Sequence, residues 1–294
     1  MHDSNPVAFA LMASLFACGA TTVQVSDAGL EDAKGTSPTY DAKGCAVPLN
    51  GIQPGQVCVR SLQAKVLDEN GKPLSNLITT ACGDGCTFGK TNAEGVSRME
   101  VHRYMSKAAL MLHGHSTYAS YYVILRSEGD VDRGTMVLPA MPAEGVTIPE
   151  DGIATTLTSG DVSLTLPSGV SVMIDKMELG EVDAQKLRTK FVSLDKAPPF
   201  VDPTLNIVAL YAFTPFGTEF APGVGVTVAN KTNLGPGIAV EFFVQGTDLD
   251  DKYGPFGQFT KLAEGHVSSD GKTIATDLGQ SIPQLTWLGI RPKP

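Results

Sequence analysis

Residues 56–76 read QVCVRSLQAKVLDENGKPLSN, and residues 86–101 read CTFGKTNAEGVSRMEV. In the first, Gln56–Asp68 alternates in part between apolar and polar side chains, the period of a half-buried strand. It stops at Glu69-Asn70-Gly71-Lys72-Pro73, where Asn-Gly supplies the positive φ of a tight turn and Pro73 ends pairing. In the second, Cys86–Thr91 and Val96–His102 flank Asn92-Ala93-Glu94-Gly95, a hairpin turn by its composition. Working outward, Leu77–Ala81, Ala109–His113, Tyr121–Arg126 and Thr135–Leu138 add short strands, about seven in all. Regular short strands with frequent turn signals predict a sandwich.

The rest of the chain agrees with an all-β reading. Its 294 residues suffice for one large domain or two ordinary ones. With 31 Gly and 19 Pro, turns are favoured over long helices. A formal charge of -9 argues against nucleic acid and against a polybasic grip on anionic lipid. Residues 142–160, rich in Pro, Gly and Thr, mark a domain boundary. Beyond it VSLTLPSGVSVMI (162–174) holds two alternating runs split by Pro167-Ser168-Gly169. Further strands are predicted over Asn206–Phe213, Val224–Val228, Ala239–Val244, Phe259–Leu262, Thr273–Thr276 and Leu285–Ile290. Asp270-Gly271 reads as a hairpin turn, and Asp183–Thr189 as a short helix. The expected fold is two β-sandwich domains, over 45–142 and 150–294, after a signal segment and a flexible tether.

The N-terminus carries the localisation signal. Val7–Ala17 is an apolar run of h-region length, followed by Leu15-Phe16-Ala17-Cys18. These residues resemble the lipobox of bacterial lipoproteins. That resemblance implies cleavage after a 1–17 signal segment, acylation of Cys18, and, with Gly19 rather than Asp behind it, sorting to the outer membrane. The n-region Met1–Pro6 carries Asp3 and no Lys or Arg, which fits a start codon further upstream. Residues 18–44 are small, polar and acidic, the composition of a lipidated tether. With Cys18 assigned to lipid, four of the five cysteines remain. An even set reads as two disulfides in an oxidising compartment. Three pairings are possible. The favoured one closes Cys82–Cys86 around CGDGC and pins the start of the first domain with Cys45–Cys58. A zinc site is the competitor, but two CxxC knuckles are lacking.

Two further resemblances bear on the domains. VLDENGKPLSN (66–76), CTFGKTNAEGVSRMEV (86–101), LHGHSTY (112–118) and TMVLPA (135–140) look like a carboxypeptidase-regulatory-like, transthyretin-like sandwich. This implies that Asp68, Gly71, Pro73 and Gly95 shape turns and that none does chemistry. SGDVSLTLPSGVSVMI (159–174), LYAFTPFGTEFAPGVGVTV (210–228) and SIPQLTWLGI (281–290) are similar to the β-sandwich domain of zonula-occludens, netrin-receptor and ankyrin proteins, with Pro215, Gly217, Phe220 and Pro222 in the signature places. Some members of that family cleave themselves at His-Phe-Ser. The matching Leu285-Thr286-Trp287 has neither base nor Ser nucleophile, which implies no cleavage. His266-Val267-Ser268, one hairpin earlier, is read as coincidence.

Candidate chemistry is sparse. His113-Gly114-His115 places two imidazoles at alternate positions, with His102 on an expected neighbouring strand as a third metal ligand. The competing reading is exposed loop histidines. Asp248-Leu249-Asp250-Asp251 clusters oxygens that Ca²⁺ would accept, against a solvated acidic turn. Asp84 reads as a turn residue. No Gly-x-Ser-x-Gly elbow, HExxH or phosphate loop occurs, and Trp287, in an expected core strand, suggests no sugar platform. The sequence therefore predicts no catalytic residue, metal or cofactor. It predicts a non-enzymatic surface lipoprotein, periplasmic or outward-facing, held to the membrane by its lipid and binding a protein or envelope polymer. If the anchor is absent, the expected place is extracellular. The alternatives are a secreted metal-assisted hydrolase and a calcium-stabilised adhesin.

Overall fold

A computed structural model describes residues 38–149, 152–174, 185–247 and 249–294. Cys18, the apolar run before it and Asp248 lie outside the described residues. Residues 38–294 form one compact unit whose regular structure is almost entirely strand. The first seven strands are β1 (Val57–Asp68), β2 (Ile78–Cys82), β3 (Cys86–Lys90), β4 (Val96–Met105), β5 (Ala109–His113), β6 (Tyr121–Ile124) and β7 (Gly129–Leu138). They make two sheets, ordered β4-β1-β7 and β3-β2-β5-β6. The expected turns are in place. Asp68 Oδ1 accepts the Asn70 and Lys72 amides, both at 2.8 Å, and Gly71 takes φ +81°. Both sheets turn apolar faces inward, with Leu62, Val66 and Met99 from one and Leu110, Leu112 and Tyr121 from the other in one core.

The remaining strands are β8 (Val146–Thr147), β9 (Thr155–Ser159), β10 (Val162–Leu166), β11 (Ser171–Met173), β12 (Lys186–Val192), β13 (Ala209–Thr214), β14 (Thr218–Ala229), β15 (Ala239–Gln245), β16 (Phe259–Val267), β17 (Thr273–Thr276), β18 (Ile282–Leu285) and β19 (Trp287–Pro292). They join in one sheet, ordered β8-β12-β13-β19-β15-β16-β17-β14-β10-β9, with β11 and β18 also on β14. This sheet wraps around a second core of Leu164, Phe213, Phe220, Val226, Phe242 and Ile290. Its two ends meet where Ser159 of β9 bonds Thr189 of β12 through backbone and side chain. The helix expected over Asp183–Thr189 is corrected: from Lys186 the chain is β12. Its residues pair antiparallel with β13, and Leu187, Arg188 and Thr189 are buried there. Tertiary pairing overrides a weak local preference.

At 142–160 the chain passes from one sheet system to the other, and the first core continues across that passage. It includes Val192, Leu210, Ala212, Phe216 and Trp287. Trp287 is fully buried, donates its indole N–H to Ser120 O at 2.7 Å, and lies edge-on to Tyr121 and Phe200.

Candidate functional site

The chain segment ahead of β1 is held more firmly than its composition suggests. Residues 39–44 were expected in the tether, but Thr39–Val47 forms a small hairpin. Val47 N–H donates to Thr39 O at 2.8 Å, and Asp41 N–H to Cys45 O at 3.0 Å. Asp41 organises the turn by accepting the Lys43 and Cys45 amides and the Tyr104 hydroxyl. The Tyr104 hydrogen bond holds the Asp41 carboxyl below its ordinary range, with the two amides assisting. Ala46 extends the first sheet, bridging in parallel to Arg103 on β4. Cys45 and Cys58 form a disulfide with Cα atoms 5.9 Å apart, buried beside Tyr104. The polypeptide entering from the N-terminal side is thus covalently stapled to the first strand.

The second disulfide, Cys82–Cys86, joins residues directly opposite each other on β2 and β3, with Cα atoms 4.2 Å apart. Between them Asp84 is more than a turn residue. Its Oδ2 accepts from Gln56 Nε2 at 2.9 Å and from the Ser106 hydroxyl at 3.0 Å. The CGDGC tip is thereby tied to the start of β1 and to the β4–β5 turn. Both disulfides are the favoured pairing of the four cysteines.

The histidine candidates do not converge. His113 is buried rather than exposed, because β5 lies between β2 and β6 and every one of its side chains is covered. Its Nε2 is 3.0 Å from Thr80 Oγ1, and its Nδ1 has no hydrogen-bond partner. Desolvation, then the neighbouring His115, lowers the His113 pKa to about 4. The His113 and His115 ring centroids are 6.3 Å apart. His102 is corrected as the third ligand. It lies on β4 in the opposite sheet, with Nδ1 2.8 Å from Gly44 O and Nε2 3.1 Å from Glu100. Among the described residues no three His, Cys, Asp or Glu side chains gather around one point.

The acidic loop holds an ammonium. Asp251 receives Lys107 Nζ at 2.6 Å and the Phe256 amide at 2.9 Å, and Lys107 also donates to Leu249 O. Asp250 lines an open cavity of about 590 Å³ with Tyr122, Phe216, Glu219, Thr247 and Gln284. Glu219 accepts Lys252 Nζ at 2.6 Å and the Tyr253 hydroxyl at 3.1 Å. Gln284 is buried, donates to Thr247, and leaves its Oε1 without a donor. The recess is thus lined by aromatic rings, carboxylates and a side-chain amide. Sequence reasoning did not identify it, because its walls come from β6, β14, β18 and the loop after β15. The residues aligned with the self-cleaving site are likewise engaged: Thr286 donates to Gln245 O at 2.9 Å. His266 Nδ1 is 2.7 Å from Asp277, while Ser268 donates to Asp270 at 2.6 Å.

No family model and no curated protein matches the chain. Among solved structures it is similar to a shaft pilin, SpaA, of Lactobacillus rhamnosus GG, at 12% identity over 58% of this chain and 86% of the pilin, with a TM-score of 0.21. It is also similar to fervidolysin of Fervidobacterium pennivorans, a keratinolytic enzyme related to subtilisin, at 11% identity over 82% of this chain and 35% of that one, with a TM-score of 0.19. At these scores neither likeness bears on function, and the all-β class stands on the strands themselves.

Proposed function

We propose that the chain is a non-enzymatic lipoprotein of the bacterial cell envelope. It is anchored through Cys18 in the outer membrane and uses its β-rich head to bind or space a protein or envelope polymer. The observation that carries this reading is the Cys45–Cys58 staple. A disulfide of this kind belongs to an oxidising compartment, which agrees with the export signal expected at Val7–Cys18. Its position also suits a tethered head, since a pull on the N-terminal segment is passed at Cys45 to β1 and goes no further along the chain. The second disulfide and the paired state of Asp251 support the same reading, the latter by giving the acidic loop a structural task.

Palmitate labelling with and without globomycin, on the wild-type chain and on Cys18→Ser, tests the proposal. Incorporation that Cys18→Ser abolishes, with accumulation of the longer precursor under globomycin, is the expected result. A soluble, unlabelled protein would remove the anchor. Turnover of peptide, ester or glycoside substrates that a single substitution abolishes would remove the non-enzymatic part.

A further inference from the structure

The staple closes a loop with unusual chemistry. From Gly44 to Val59 the chain reads GCAVPLNGIQPGQVCV, sixteen residues without one Asp, Glu, Lys or Arg, in a protein whose charged fraction is 18%. Lys43 ends the preceding turn and Arg60 begins the next charged stretch. Twelve of these residues hang between Cys45 and Cys58. Within that loop Leu49 is 83% exposed, Ile52 48% and Val47 40%. Three large aliphatic side chains within six residues of an uncharged loop are poorly suited to water.

The loop pairs part of its own polar groups. Gly51 N–H donates to Pro48 O at 2.9 Å and Gln56 N–H to Gln53 O at 3.2 Å. Gln53 N–H donates to Gln56 Oε1 at 2.8 Å, and Gln53 Nε2 donates to Asn50 O at 2.9 Å and Gly51 O at 3.1 Å. These bonds lower the cost of entering a medium of low polarity, because the groups that make them keep a partner when they lose water. The disulfide fixes its shape beforehand, so little further ordering is needed on contact.

We infer that the Val47–Ile52 loop is a membrane-contact element, which dips Leu49 and Ile52 into the headgroup and upper acyl region of the bilayer that holds the lipid anchor. This rests on the anchored reading above. The occupant follows from where the chain outside the described residues joins this surface. Nineteen residues lie between Cys18 and Pro38, a reach of about 70 Å at full extension, and the loop begins within ten residues of that junction. An acylated Cys18 holds the loop near lipid at high effective concentration, where a few aliphatic side chains suffice to hold an orientation. The absence of Lys and Arg suits zwitterionic lipid and makes the contact insensitive to salt.

Trp287, the sole tryptophan, is buried, so Leu49→Trp adds a reporter distinguishable from the native signal. The full-length variant is measured in phosphatidylethanolamine–phosphatidylcholine vesicles with and without brominated acyl chains. It is measured both acylated and as the non-acylated Cys18→Ser chain at lipid excess. Quenching of the added indole by bromine, unchanged by salt, is expected in both forms. In the non-acylated chain, Leu49→Ser with Ile52→Ser should lower the vesicle-bound fraction about tenfold. An added indole that emits as in water while the protein floats with the vesicles overturns the inference. A blue shift without bromine quenching, the sign of cover by a second copy or a protein partner, also overturns it. Loss of palmitate label with retained quenching removes the anchor and keeps the loop; label without quenching does the reverse.

Discussion

His113 and Glu241 are two buried polar residues whose surroundings fix how the protein responds to pH and substitution. Folded His113 titrates at about 4, held there first by desolvation, whereas an unfolded His titrates at about 6.5. Between those values the unfolded chain binds more protons, so stability rises with pH. The contribution is fully present above the unfolded pKa and is lost as pH falls through 6.5 towards 4, amounting to about 3 kcal/mol at most. Urea midpoints between pH 4 and 7 should show this slope, and His113→Gln should flatten it. An equal slope in both proteins would mean that the imidazole is hydrated. Glu241 behaves differently. Burial raises its pKa, but Lys261 at 3.0 Å and Arg291 at 2.8 Å outweigh that and lower it overall. Glu241→Gln keeps the shape and leaves Arg291 with a weaker acceptor. A loss of about 2 kcal/mol is expected in denaturant unfolding.

The two disulfides differ as elements because their loops differ in length. Cys45–Cys58 closes a separation of 13 residues and Cys82–Cys86 one of 4. On the chain-entropy account, removing the first should cost about 3 kcal/mol and the second about 2. Paired Cys→Ala variants measured by thermal unfolding would show that order. Only the Cys45, Cys58 variant should also open residues 46–57 to proteolysis. Turn glycines divide in the same way. Gly71 and Gly95 both hold positive φ, but a Cβ on Gly71 meets nothing, while one on Gly95 would lie 2.4 Å from Val66 O. Gly71→Ala should cost about 1 kcal/mol and Gly95→Ala at least about 2. These were the most legible parts of the sequence. Asn-Gly, Asn-Ala-Glu-Gly and the spaced cysteines act locally, and the seven expected strands of the first half fall within a few residues of β1–β7. Legibility fails where partners decide. β9 and β12 carry no clean alternation, and β14 runs through Pro222 and Gly223, whereas the expected strand starts only at Val224. The strand Ala109–His113 is legible, but its burial on both faces is not, so nothing local marks His113 as covered rather than exposed. The recess at Gln284 has no local signal, since its residues meet only after distant strands pair.

At the scale of the whole molecule, the two sheet systems share one layer of aromatic packing, and this determines how the protein unfolds. Tyr121 of β6 lies 5.7 Å from Phe200 and 6.1 Å from Trp287 between ring centroids, and Phe200 is 5.2 Å from Phe259. Tyr122 contacts Phe216 and Phe256, and Gln245 donates to Tyr122 O at 2.9 Å. Lys190 reaches back to Glu69 at 2.6 Å and to Ala140 O at 2.9 Å. Cutting the chain near residue 144 would expose β6 on one side and Trp287 on the other, leaving the Trp287 indole N–H without Ser120 O. Buried aromatics of this size carry several kcal/mol each, comparable with the whole stability of a modest domain. Residues 38–144 alone should therefore be molten or insoluble, and residues 38–294 should unfold in a single transition. Trp287→Ala, expected to cost about 3–5 kcal/mol, is the sharper probe. Because Trp287 packs under both sheet systems, hydrogen exchange should speed up in β5 and β6 as much as in β13 and β15. Acceleration confined to β13 and β15 would mean that the halves melt independently and that the shared aromatic layer is only a contact between them.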